Sequence, residues 1–218
     1  MVARLGSLAG VDHVLTTERL VLRPVTVRDH AALLAHWTLP DVRRFLFDGA
    51  PPCAAEVTET IEESVRNFAT AGYGVWLIEA PGQPGFIGTA GLRALEELGL
   101  EIFYSLAPGS WGHGFATEAA RAVVEHALGP LGLPEVLAEV DEGNAASVAV
   151  ITRLGMTLFD VVPGVLGPMT RYRRTARAHL ASPLPQDSPA PRNQPTPARQ
   201  PEPHVTGTLP QDRRGHAG

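Results

Sequence analysis

The sequence predicts an α+β fold with a mixed central sheet. Three observations lead there. Segments of period two and period 3.6 succeed one another in the order β-α-α-β-β-β-α-β-α-β-β, which is neither a regular βα repeat nor all-β. Hydrophobic residues make up 44% of the 218 residues, enough to bury one core. The C-terminal stretch from about Ala181 to Gly218 is Pro-rich, lacks Phe, Trp and Tyr, and holds only scattered Leu184, Val205 and Leu209. Such a segment buries too little apolar surface to offset its ordering entropy. The expected organisation is a loose arm over 1–14, a folded domain over 15–180 and a disordered tail over 181–218.

The elements follow in order. Arg19–Arg23 reads as a first strand, closed by Pro24. Asp29–Trp37 carries Ala31, Leu33, Leu34 and Trp37 at near-helical spacing. Ala54–Ala71 carries Val57, Ile61, Val65 and Phe68 on one stripe, with Gly72 at its stop. Gly74–Glu79 and Phe86–Leu92 are strands joined by the turn Pro81-Gly82-Gln83-Pro84, hence a hairpin. Leu100–Leu106 alternates, with Ile102, Tyr104 and Leu106 on one face and Glu101, Phe103 and Ser105 on the other. After a Gly-rich turn, Ala120, Val123, Val124, Ala127, Leu128 and Leu131 form a helical stripe that Gly132 and Pro134 end. Off that stripe, Arg121 has the spacing to pair with Glu118 and Glu125. Val136–Val140 is a short strand. Asn144–Leu154 is a helix with Asn144 as N-cap and Gly155 beyond its end. Met156–Val162 and Met169–Thr175 are the last strands.

Bulk properties narrow the function. A net charge of −5 and a pI near 5.9 argue against a broad electrostatic grip on nucleic acid. The single cysteine, Cys53, permits no intrachain disulfide. No apolar run reaches the roughly 18–20 residues of a membrane span, nor does the N-terminus resemble a signal peptide. A cytoplasmic protein without a membrane partner is expected.

The informative segment is Leu106-Ala107-Pro108-Gly109-Ser110-Trp111-Gly112-His113-Gly114-Phe115-Ala116-Thr117-Glu118. A strand runs into a loop with small residues at Gly112, Gly114 and Ala116, and a helix follows at once. Small residues let an anion approach the backbone, and the free N–H groups at a helix start favour negative charge. A Walker loop needs Lys-Ser/Thr after its second glycine, which is absent here. A dinucleotide fingerprint fails at Thr117, where a third Gly or Ala belongs.

The segment resembles the pyrophosphate loop of GNAT acetyltransferases, Gln/Arg-x-x-Gly-x-Gly/Ala, with Gly114 and Ala116 at its last two positions and Trp111 in place of Gln/Arg. Trp111-Gly112-His113-Gly114-Phe115-Ala116-Thr117-Glu118-Ala119 looks like the ribosomal-protein N-acetyltransferase branch. So do Thr17-Glu18-Arg19-Leu20-Val21-Leu22-Arg23-Pro24, Asn144-Ala145-Ala146-Ser147 and Arg153-Leu154-Gly155-Met156. The resemblance spans about Thr17 to Arg173. It implies a mostly antiparallel sheet with a V-shaped splay between the strands Phe103–Leu106 and Val136–Val140. It implies acetyl-CoA as cosubstrate, a primary amine as acceptor (a protein N-terminus or a small molecule), direct transfer, no metal, and a monomer or homodimer.

The residues implied in cosubstrate binding are Phe103, Ser105, Leu106, Trp111, Gly112, His113, Gly114, Phe115, Ala116, Thr117 and Asn144, the loop acting through its main chain. A backbone amide in Phe103–Leu106 would stabilise the oxyanion. Glu101 is the candidate base, through a water, against a surface glutamate on a strand edge. Ser147 is the candidate donor to the leaving thiolate, against a helix-start serine. Two other functional classes compete: a catalytically inactive CoA-binding regulatory module, and a nucleotide-binding protein using the same loop. Cys53 reads as filler, and the histidines lack metal-ligand spacing. Arg171-Tyr172-Arg173-Arg174 reads as an exposed strand edge. Trp37, Phe45 and Phe47 fall where this family shapes its acceptor pocket, with core packing an equal reading for Trp37, and two variable segments, Leu39–Ala55 and Arg93–Gly99, are expected to set the substrate.

Overall fold

A computed structural model describes residues 13–95 and 98–176. The Pro-rich segment 181–218 and residues 1–12 of the N-terminal arm lie outside them. His13 is already anchored, since the Trp76 indole N–H donates to its carbonyl at 2.7 Å.

The strands are β1 (Leu15–Thr16), β2 (Val21–Pro24), β3 (Val75–Glu79), β4 (Gly88–Leu95), β5 (Gly99–Leu106), β6 (Glu135–Asp141), β7 (Thr157–Gly164) and β8 (Gly167–Thr175). The helices are α1 (His30–Trp37), α2 (Pro40–Leu46), α3 (Ala54–Ala71), α4 (Phe115–Leu128) and α5 (Ala145–Arg153). One sheet runs β1-β2-β3-β4-β5-β6-β8-β7. All pairings are antiparallel except β5–β6, which is parallel.

Both faces of the sheet are covered. Trp76, Leu77 and Ile78 in β3 are wholly buried, as a central strand between helices must be. Leu77 packs with Leu33, Trp37, Val57 and Ile61 of α1 and α3. Trp76 and Ile78 belong to the opposite core, which holds Ala120, Val123, Val124 and Ala127 of α4 and Val150 and Ile151 of α5.

The sequence reading missed β1 and α2. Two residues of strand give no alternation to detect, and α2, opening on Pro40 at its N-terminus, has only seven residues. The first main strand starts at Val21, not Arg19. Thr17 and Leu20 close a turn there (Thr17 N–H to Leu20 O, 2.9 Å; Leu20 N–H to Thr17 Oγ1, 3.0 Å). The basic run Arg171–Arg174 is not on an edge: β8 lies between β6 and β7, and Arg171 Nε donates to Glu139 at 2.6 Å.

Candidate active site

The site begins where the sheet comes apart. β5 and β6 share a single register pair, Glu101↔Leu137, although each continues for several residues beyond it. Past this rung the strands separate. Glu101 sits at the fork: only 3% exposed, its Oε1 accepts from Arg93 Nε at 2.6 Å and its Oε2 from the Glu139 amide at 3.3 Å. The side chain thus satisfies an amide of β6 that β5 no longer reaches. The surface-glutamate reading is thereby corrected. Burial pushes the Glu101 carboxyl above its ordinary value, and Arg93 opposes that shift.

Beyond the fork, β5 leads through a short 3₁₀ turn at Pro108–Ser110 into the Gly-rich loop and α4. Gly112 (φ 78°) and Gly114 (φ 80°) are both left-handed. Gly114 is the N-cap and offers no side chain to the helix start. Among the described residues, no acceptor is bonded to the amides of residues 112–117. These amides, at the positive end of a 14-residue helix, form an anion cradle.

The loop is held from outside. Glu118 accepts from Thr17 Oγ1 (2.6 Å), the Arg19 amide (3.0 Å) and Arg19 Nε (2.8 Å). Arg19 Nη1 also donates to the His113 carbonyl at 3.0 Å, and its guanidinium lies 4.9 Å from the Phe115 ring centre. His113 stacks on Phe115 at 5.5 Å, and the Trp111 indole, half exposed, donates to the Leu106 carbonyl at 2.9 Å. Burial opposes ionisation of Glu118, but the bonds from Thr17 and Arg19 prevail and hold its carboxyl below the ordinary value. The expected pairing of Arg121 with Glu118 is therefore overturned: Arg19 takes the carboxylate, and Arg121 donates to the Arg153 carbonyl at 3.3 Å. Replacing Glu118 by alanine should lower stability by about 1–2 kcal/mol in chemical denaturation and raise the KM for the ligand of the loop.

Across the opening, Asn144 Oδ1 accepts from the Ser147 amide at 3.1 Å, the expected N-cap of α5. The Tyr104 hydroxyl donates to the Ser147 carbonyl at 3.4 Å, and burial pushes its pKa up to about 12. On the other face of β5, Ser105 Oγ lies 2.9 Å from His36 Nε2 and 2.8 Å from Thr89 Oγ1, and the Trp37 indole reaches Thr89 Oγ1 at 3.3 Å. Burial pulls the His36 pKa down from 6.5 to about 4. The unfolded chain therefore binds a proton between those values that the folded chain refuses. The contribution of His36 to stability should be full above pH 6.5 and fall by about 3 kcal/mol as pH drops towards 4. In His36→Gln that acid loss should shrink, as melting temperatures across pH would read.

Every residue named from the sequence for catalysis or cosubstrate binding borders one cleft of about 1700 Å³: Glu101, Phe103, Ser105, Leu106, the run Trp111–Thr117, Asn144 and Ser147. α2 adds Asp41, Arg44 and Phe45 to its wall. Trp37 is core, 2% exposed, with Phe47 packed on its ring at 5.3 Å. The sequence reading missed Arg19, Tyr104, His36 and Asp141. Only alternation along β5 signalled Tyr104. The others join the site through contacts distant in sequence.

The sequence model described as an acetyltransferase (GNAT) domain matches residues 19–157, more than half of the chain. The chain belongs to the GNAT acetyltransferase family. This GNAT protein is 32% identical over 151 residues to an uncharacterized N-acetyltransferase, YoaA, of Bacillus subtilis, covering 65% of this chain and 81% of that protein. An acetyltransferase from Agrobacterium tumefaciens superposes with a TM-score of 0.64 at 28% identity, over 74% of this chain and 93% of that one. A ribosomal L7/L12 α-N-protein acetyltransferase, RimL, solved with coenzyme A, shares the fold at 18% identity (TM-score 0.63, 74% and 97% covered). The GNAT chain is accordingly an acyl-CoA-dependent acetyltransferase that uses acetyl-CoA. Among its described residues, no group of three or more His, Cys, Asp and Glu is placed to hold a metal, and no helix is long and apolar enough to cross a membrane.

Proposed function

We propose that this protein transfers the acetyl group of acetyl-CoA to a primary amine, the α-amine of a protein or peptide or a small-molecule amine, by direct attack and without an acyl-enzyme. The observation that carries the reading is the opening above the Glu101↔Leu137 rung, continuous with the open amides of residues 112–117. The cradle fits a diphosphate: two left-handed glycines bring the backbone to the surface, and no side chain caps the helix. In this reading those amides hold the diphosphate, and Phe103–Leu106 and Ala138–Asp141 flank the pantetheine arm, with Asn144 at its far wall. The thioester is an already activated acyl group, so orientation supplies much of the acceleration.

Glu101 is the proton acceptor through water relayed along the cleft. Its burial holds it nearer to neutral pH than a solvated glutamate, which suits an α-amine of pKa about 7.7–8.0. Ser147 supplies a proton to the departing thiolate. The loop sequence and the RimL fold match support assignment to the ribosomal-protein branch.

The test is thiol release from acetyl-CoA with an amine panel, beside calorimetry with CoA. Turnover with at least one amine is expected. Tight CoA binding without thiol release from any acceptor would instead favour an inactive CoA-binding module, and absence of both would overturn the reading.

A further inference from the structure

The strands that diverge from Glu101↔Leu137 run parallel, so Ser105 and Asp141, each four residues further on, stand level across the opening. The even step keeps both on the sheet face of Glu101. That face carries α1, which provides His36 to Ser105, and the loop after α2, which provides Asp48 near Asp141.

Asp141 is 7% exposed and borders the cleft. Among the described residues, its Oδ1 is the one buried side-chain oxygen or nitrogen without a hydrogen-bond partner. Burial, then Asp48, then Glu139 push its carboxyl above the ordinary value. Among the described residues, no cation is among the groups that shift Asp141, and the neighbouring arginines are engaged, Arg171 with Glu139 and Arg93 with Glu101. Its own backbone N–H opposes that shift, but a buried carboxylate oxygen left without a partner beside like charges is costly unless something supplies a positive N–H donor.

Ser105 complements it. The Trp37 indole can only donate, so its bond occupies an acceptor site of Thr89 Oγ1. For each hydroxyl proton to find an acceptor, Thr89 must donate to Ser105, and Ser105 to His36 Nε2. The downward pKa of His36 agrees, since the ring is then neutral and accepts. Ser105 has thus spent its proton inward and offers the cleft a lone pair.

We propose that Asp141 and Ser105 form the seat of the acceptor's protonated amine, a primary ammonium held between carboxylate and hydroxyl oxygen before transfer. The inference rests on the amine-acetylation reading and names the residues that select for a primary, positively charged amine. An ammonium brings three N–H donors and a full charge. An alcohol of the same shape brings one donor and no charge.

The experiment compares wild type, Asp141→Asn and Ser105→Ala on trialanine, phenethylamine and putrescine. It reads steady-state kinetics, calorimetric binding of each amine to the CoA-loaded protein, and melting temperature. Asp141→Asn is expected to raise the amine KM about tenfold or more, with kcat and CoA affinity changed far less. Its melting temperature should hold or rise, because an unpaired buried charge is removed. Phenethyl alcohol should inhibit wild type poorly against phenethylamine, and the variant should lose that discrimination. Ser105→Ala should shift the amine KM in the same direction by a smaller factor. Acetylation with an unchanged amine KM in Asp141→Asn overturns the seat and leaves the acetyltransferase reading standing. A fall in melting temperature without a KM change also overturns it, making Asp141 structural. If no amine is bound or acetylated by wild type, the seat and the reading fall together.

Discussion

Gly114→Val is expected to weaken acetyl-CoA binding by about ten- to a hundredfold while the chain stays folded. Gly114 holds φ 80°, and a side chain built there would meet only Arg19 Nη2, at 3.5 Å. Crowding is therefore not the cause. A β-branched residue in the left-handed region costs about 1–3 kcal/mol, which the loop sheds by turning its peptide planes. Those planes carry the amides of the cradle, and 1.4 kcal/mol is a factor of ten in affinity. Gly109→Ala is the control, since its backbone is not left-handed and its Cβ would meet nothing within 4 Å. Calorimetry with CoA decides: equal affinity in Gly114→Val and Gly109→Ala would detach the loop from the donor.

Glu101→Gln is expected to lower kcat by about 10²–10⁴-fold, the range for loss of a positioned acid or base, with little change in acetyl-CoA affinity. The amide oxygen can still accept from the Glu139 N–H, so the fork keeps its wedge. Arg93, half exposed, turns to water at small cost. The base works ionised, so wild-type activity should climb with pH through the Glu101 pKa, which burial places above the ordinary carboxylate value. The variant should lose that limb of the pH–rate profile. A variant whose kcat and profile match wild type would reduce Glu101 to the wedge alone.

Much of this was legible in the sequence because it is local. The Gly112-x-Gly114 loop, the Asn144 cap and the two faces of β5 are set by neighbours within a turn or a strand, and the structure has them where the residues imply. The partnership between the first motif and the loop was not legible. Thr17-Glu18-Arg19-Leu20 and Ala116-Thr117-Glu118-Ala119 were each visible, but Glu118 has an equally good helical partner in Arg121, and only the fold decides for Arg19. Asp141 was hidden for another reason. Followed by Glu142-Gly143-Asn144, it reads as a turn acid, and the like charge that acts on it, Asp48, comes from a loop more than ninety residues earlier. Arg171–Arg174 looked solvent-facing because a hairpin that inserts its second strand next to β6 cannot be told from one that adds it at the rim.

A sheet cut nearly through its middle must find its lateral stiffness elsewhere. Five strands lie on one side of the Glu101↔Leu137 rung and three on the other, and α4 and α5 bridge the two plates from one face. On the proposed reading, the arm of the donor fills the gap and is expected to bond to both plates as a missing strand would. The donor would then be a structural member as well as a reactant, and the loaded protein is expected to be the stiffer object.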